Sequence, residues 1–174
     1  MRSSAASDVY KRQVGTGSVG SAIARRLRAF DVQTVGINRS GHPAAEFDQT
    51  QPTCRLDDLL PLADLVICAM PLTAETAGLF DSVRLAKIKP GAVFVNVARG
   101  KVTDQQALAE VLQSGQLSGA VLDVFEEEPL PRSSPLWDME QVILTPHNSF
   151  VGEHNGERLF KCIKEHLYEL SKEC

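Results

Sequence analysis

The chain has 174 residues, 43% hydrophobic and 6% aromatic, with a formal net charge of -4 and a pI near 5.6. That length buries one sizeable core and does not accommodate a second domain of ordinary size beside it. Lys and Arg are scattered rather than striped, which leaves no electrostatic footprint for nucleic acid or an anionic membrane and points to small-molecule partners. Cys54, Cys68, Cys162 and Cys174 stand far apart, in neither disulfide nor zinc spacing. The longest apolar stretch, 59–72, is broken by Pro61, Asp64 and Pro71. No hydrophobic signal region opens the chain, so a soluble cytoplasmic protein with no metal site is expected.

The first segment is at odds with the rest of the chain. Tyr10-Lys-Arg-Gln-Val14 stands where a central apolar strand belongs, and burying Lys11 and Arg12 without partners would cost several kcal/mol each. Residues 1–13 therefore read as a foreign leader occupying the place of native strand residues, ahead of a domain spanning 14–150. Next comes Gly15-Thr-Gly-Ser-Val-Gly20, running into an amphipathic stretch, 21–30. A dinucleotide pyrophosphate needs this pattern. Gly15 permits the tight turn, Gly17 lets backbone N–H groups approach the phosphates, Gly20 allows close helix–strand packing, and the helix start brings partial positive charge.

Apolar strand-length runs recur at 32–37, 65–69, 92–97, 119–122 and 142–144, and helical periodicity at 55–62, 83–88 and 104–113. The last of these helices has Thr103 or Asp104 for an N-cap and Gly115 just past its end. Strands that are apolar on both faces and alternate with helices imply a doubly wound α/β fold with a parallel sheet covered on both sides. Residues 151–170 read as a final amphipathic helix. Trp137 reads as a packing residue.

At the end of the second run, where a cofactor lacking a 2′-phosphate usually meets Asp or Glu, this chain has Asn38, followed by Arg39 and Ser40. A repelling carboxylate is absent, and a guanidinium and a hydroxyl are available to a phosphate, which favours NADP(H) while leaving NAD(H) open. The alternative reading is a polar turn leaving a strand.

Three polar segments follow successive strands: Val95-Asn-Val-Ala-Arg-Gly100, Leu122-Asp-Val-Phe-Glu-Glu-Glu-Pro129 and Leu144-Thr-Pro-His147. In an open α/β sheet, ligands bind off such carboxyl ends. With the glycine loop, Pro71-Leu-Thr73 and Ser134-Pro-Leu-Trp137, they resemble, over about 14–170, the Rossmann-type nucleotide-binding domain of the D-isomer-specific 2-hydroxyacid dehydrogenases. The resemblance implies that Arg99 holds the substrate carboxylate and carbonyl oxygen, that Glu128 pairs with the histidine, and that His147 is the acid/base. It also implies that Asp123 contacts the nicotinamide end, that Ser18 and Val19 touch the pyrophosphate, and that Pro71, Val97, Ala98 and His147 line the cofactor pocket. The chemistry asks for the same set: a 2-keto acid that accepts a hydride must also take a proton, and imidazole exchanges protons near neutrality. An Arg fork matches a planar carboxylate.

Complete members of this family carry a separate substrate domain built from roughly their first hundred residues plus a C-terminal return, which 151–174 would approach. The chain is expected to lack most of that domain, and with it substrate selectivity and closure. An NADP(H)-preferring reductase of small 2-keto acids, such as glyoxylate or hydroxypyruvate, forming a homodimer as family members commonly do, is the leading expectation. The alternatives are a cofactor-sensing interaction module, as in the C-terminal-binding corepressors that use the same domain, and an inactive fragment.

Overall fold

The computed structural model describes residues 10–149 and 152–170. Residues 1–9 of the expected leader, Val151 at the expected start of the last helix, and Cys174 lie outside them. Seven strands form one parallel sheet: β1 (Tyr10–Val14), β2 (Gln33–Asn38), β3 (Gln49–Pro52), β4 (Leu65–Cys68), β5 (Ala92–Asn96), β6 (Leu117–Leu122) and β7 (Val142–Leu144). Their order, β3-β2-β1-β4-β5-β6-β7, reverses direction between β1 and β4. This is the doubly wound arrangement, and the reversal opens a crevice beyond the carboxyl ends of the two central strands. The backbone of Tyr10–Val14 occupies the middle of the sheet, in register with Gln33–Ile37 on one side and, from Lys11, with Leu65–Cys68 on the other.

The helices are α1 (Ser18–Leu27), α2 (Leu56–Leu59), α3 (Ser82–Lys87), α4 (Gln105–Gln113) and α5 (Asn155–Leu170). Several boundaries depart from the sequence expectation. The first helix starts at Ser18 rather than Ser21, so the second half of the glycine motif is already its first turn. The expected helix over 55–62 is a short α-helix between two 3-10 turns, Thr53–Arg55 and Leu60–Leu62, because Pro61 cannot continue an α-helical ladder. Asp104, not Thr103, caps α4, its side chain accepting from the N–H of Ala107 at 2.9 Å. Gly115 ends that helix at φ +76°, as a left-handed C-terminal glycine does.

The polar strand β3 has no apolar residue to announce it. Backbone pairing with β2 makes it, and Asp48 fixes the start of β2 beside it by accepting from the N–H and hydroxyl of buried Thr34 at 2.7 and 2.9 Å. The core lies on both faces of β4 and β5, where Val66, Phe94, Phe80, Leu85 and Leu108 are at most 1% exposed. Phe80 meets Phe94 edge-on, with ring centroids 5.2 Å apart, a geometry the ring quadrupoles favour. Arg84 and Lys87 of α3 both reach Asp57 of α2, at 2.7 and 3.1 Å, and hold its carboxyl below the ordinary range. Among the described residues no helix is long and apolar enough to cross a membrane.

Candidate active site

The glycine turn is shaped by two different demands. Gly15 sits at φ +105°, and a Cβ there would lie 2.3 Å from the carbonyl oxygen of Ala69, so only glycine fits between β1 and β4. A Cβ on Gly17 would meet nothing within 4 Å. Gly17 is the N-cap of α1 and brings no side-chain hydrogen bond to it, and no acidic residue occupies the first turn. The leading N–H groups of a helix have no intrahelical partner, so an open approach, uncapped amides and the positive end of the dipole coincide at Ser18, Val19 and buried Gly20. These are the properties a pyrophosphate requires.

At the tip of β2 the side chain of Asn38 shapes its own loop. Its Oδ1 accepts from the N–H of Gly41 at 2.7 Å, and its Nδ2 donates to the carbonyl of His42 at 2.9 Å and to the Thr16 hydroxyl at 3.2 Å. Arg39 and Ser40, held by that loop, are exposed at the rim. Arg39 is near enough to Glu75, on the loop after β4, to help lower its carboxyl, although the Thr73 hydroxyl lowers it more.

Beyond β5, Asn96 is 1% exposed and organises the next turn. Its Oδ1 accepts from the N–H of Ala98 at 3.0 Å, and its Nδ2 donates to the carbonyl of Arg99 at 3.2 Å and to the Thr103 hydroxyl at 3.3 Å. The guanidinium of Arg99 is left exposed, with Nη1 donating to the carbonyl of Ala98 at 2.6 Å. Gly100 packs directly on the loop after β6: a Cβ there would lie 1.8 Å from the carbonyl oxygen of Phe125. Arg99 is thereby fixed relative to the acidic segment, 126–128.

Within that segment Glu126 and Glu128 have separate tasks. Glu126 turns away and accepts from the N–H of Gln105 at 2.8 Å. Glu128 accepts from the N–H of Phe125 at 3.0 Å through one oxygen and meets Nδ1 of His147 at 2.7 Å through the other. The His147 contact, the Phe125 amide and, more weakly, Arg99 hold the Glu128 carboxyl below its ordinary value of 4.5 against a small opposing effect of burial. Each side chain of the pair is 36% exposed.

Asp123, at the tip of β6, is 2% exposed. Its Oδ1 accepts from the Thr145 hydroxyl at 2.5 Å and the N–H of Asn148 at 3.0 Å, and its Oδ2 from the N–H of Ser149 at 3.0 Å. Burial pushes its carboxyl up, and the hydrogen bonds from Thr145, Ser149 and Asn148 outweigh that to leave it below the ordinary 3.8.

A cavity of about 580 Å³ joins Val19 and Ile23 of α1 to Val97, Arg99, His147 and Ser149. A second, of about 360 Å³, continues from Val19, Val97, Ala98 and Arg99 to Pro71 and Leu72. The glycine turn, the β5 tip and the histidine thus share one crevice. Asn38, Arg39, Ser40 and Asp123 line neither cavity. On the other side of the Glu128–His147 pair, an apolar cavity of about 530 Å³ is lined by Phe125, Pro129, Leu130, Trp137 and Pro146. Trp137, expected to pack in the core, is 54% exposed, with its indole N–H donating to the carbonyl of Pro131 at 2.9 Å. Sequence reasoning also missed Asn96, Gly100 and Thr145. An Asn closing an otherwise apolar strand, with Gly four residues later, was the available signal.

Residues 7–149 match the family described as D-isomer specific 2-hydroxyacid dehydrogenase, NAD binding domain. Glyoxylate/hydroxypyruvate reductase B of Citrobacter koseri is 40% identical over 157 residues, which are 90% of this chain and 48% of that protein. The glyoxylate reductase of Thermococcus onnurineus is 41% identical over 143 residues, 80% of this chain and 42% of its own length. Among solved structures, a probable 2-hydroxyacid dehydrogenase from Rhizobium etli, in complex with NADP, HEPES and L(+)-tartaric acid, superposes with a TM-score of 0.87 at 31% identity. The match covers 96% of this chain and 53% of that one. An NADPH-dependent glyoxylate/hydroxypyruvate reductase from Sinorhizobium meliloti, in complex with NADP and sulfate, gives a TM-score of 0.86 at 32% identity, covering 96% and 54%. The chain spans about half the length of the relatives it matches.

Proposed function

Because the chain belongs to the D-isomer specific 2-hydroxyacid dehydrogenase family and carries its NAD-binding domain, we propose that it is the nucleotide-binding and acid–base half of a reductase acting on small 2-keto acids such as glyoxylate or hydroxypyruvate. The observation that carries this reading is the 2.7 Å contact between Glu128 and His147 on the wall of the crevice that Arg99 and the start of α1 share. Glyoxylate and hydroxypyruvate are the substrates named for its relatives.

The residues present fit a nicotinamide dinucleotide. Gly17, Ser18 and Val19 would take the pyrophosphate, and Pro71, Val97 and Ala98 would line the site along the crevice. Bound there, the cofactor supplies the hydride that reduces the keto carbon. The chain's own residues supply the rest. Arg99 presents a planar fork to the carboxylate and carbonyl oxygen, which fixes the substrate's orientation. Glu128 holds Nδ1 of His147 and so presents the opposite nitrogen of the protonated ring, Nε2, which passes its proton to the carbonyl oxygen as the alcohol forms. Arg39 and Ser40 would receive a 2′-phosphate, giving preference for NADP(H). Bound NADP in the similar Rhizobium and Sinorhizobium proteins supports this. Asn38 contributes by shaping the loop that presents them.

A thermal-shift titration of this chain with NADPH and NADH tests the reading. A cofactor that binds only the folded state adds about 2.7 kcal/mol at a concentration of 100 times its Kd. NADPH is expected to give the larger shift, and Arg39→Ala to erase the difference. A larger NADH shift overturns the NADP(H) preference, and no shift with either cofactor overturns the binding role. In the whole enzyme, His147→Gln should lower turnover by about 100-fold or more while leaving the cofactor-induced shift intact.

A further inference from the structure

We propose that Asp123 is a positioning residue for the Glu128–His147 pair, holding the imidazole in register with the carboxylate through the loop that carries it. The proposal rests on reading that pair as the site of proton exchange. His147 has φ +52°, a left-handed conformation uncommon for a residue bearing a Cβ. The strand before it cannot impose it. β7 is three residues long, lies at the edge of the sheet and pairs with β6 alone.

Asp123 supplies what the ladder lacks. Its two oxygens accept from Thr145, two residues before the histidine, and from Asn148 and Ser149, the two residues after it. The loop is therefore pinned on both sides of His147, and the turn between is closed by the His147 N–H donating to the carbonyl of Thr145 at 3.0 Å. The clamp is itself anchored, because the Asp123 N–H donates to the carbonyl of Asn96 at the tip of β5, at 3.0 Å. Burial excludes the water that would otherwise compete for these hydrogen bonds.

Ring-nitrogen NMR of this chain reads the effect directly. In the neutral ring, observed at alkaline pH, holding Nδ1 by Glu128 makes one tautomer dominate and splits the Nδ1 and Nε2 resonances of His147 widely; when the ring is released, both tautomers are sampled and the resonances converge. Glu128→Gln sets the released limit. Asp123→Ala is expected to move the two resonances toward that limit although Glu128 and His147 are both intact. Thr145→Val, which removes one hydroxyl and preserves shape, is expected to move them the same way by a smaller amount. A folded Asp123→Ala variant that keeps the parent splitting overturns the proposal; should that variant not fold, an unchanged splitting in Thr145→Val overturns it. A parent chain whose resonances already match Glu128→Gln overturns instead the reading of the pair, so the two failures are distinguishable.

Discussion

The carboxyl ends of β2 and of β5 and β6 are held in different ways. At the tip of β2, Asn38 shapes its loop with partly exposed hydrogen bonds, and the groups it presents, Arg39 and Ser40, stand in solvent. At the tips of β5 and β6 the organising residues are Asn96 and Asp123, 1% and 2% exposed, and each fixes the backbone on which a candidate functional side chain is mounted. A hydrogen bond in a dry interior is stronger and less negotiable than one at the rim. The loop after β2 therefore has room to adjust, whereas the Glu128–His147 pair has its geometry set by the buried network around it.

The glycines offer the largest test of that contrast. Gly100→Ala places a Cβ 1.8 Å from the Phe125 carbonyl oxygen, and Gly15→Ala combines a 2.3 Å approach with φ +105°. Both should lose about 3 kcal/mol or more of unfolding free energy in urea titrations. Gly17→Ala, with nothing within 4 Å, should change stability by about 0.5 kcal/mol or less and lower cofactor affinity instead. Equal losses at Gly17 and Gly100 would break the comparison.

A smaller effect concerns the strand between the two ends. If 11–13 stand in place of native residues, exchanging Lys11-Arg12-Gln13 for an apolar triplet should raise the melting temperature by about 4 °C or more, roughly 2 kcal/mol for a domain of this size. An unchanged melting curve counts against a foreign leader.

The smallest effect is on the acid limb of stability. Asp123 and Glu128 have folded-state values lowered from 3.8 and 4.5, so each contributes stability that is complete above those ordinary values and is lost as pH falls through the lowered ones. Asp123→Asn removes one contributor. The difference in unfolding free energy between parent and variant should narrow as pH is lowered from about 5 to about 2. A difference independent of pH would mean that Asp123 has the same affinity for a proton folded and unfolded.

Much of this was legible in the sequence, for identifiable reasons. Apolar runs such as 65–68 and 92–95 announced their strands because burial on both faces demands apolar side chains at successive positions. The glycine motif announced the turn because Gly15 meets a steric requirement nothing else satisfies. Arg99, Glu128 and His147 were found because they close recognisable segments in the expected order. β3 was not legible, since Gln49-Thr-Gln-Pro52 has no apolar pattern and its pairing is backbone alone. The roles of Asn96 and Thr145 and the exposure of Trp137 were equally hidden, because each depends on partners far along the chain.

By itself the sequence determined the class of fold, the place of the glycine turn and which side chains are candidates for chemistry, because period, glycine sterics and residue type are local properties. Only the tertiary structure decided that Asp123 grips the histidine's loop and that Arg99 shares a crevice with α1. Those facts are distances between segments remote in the chain, and packing of the sheet alone sets them.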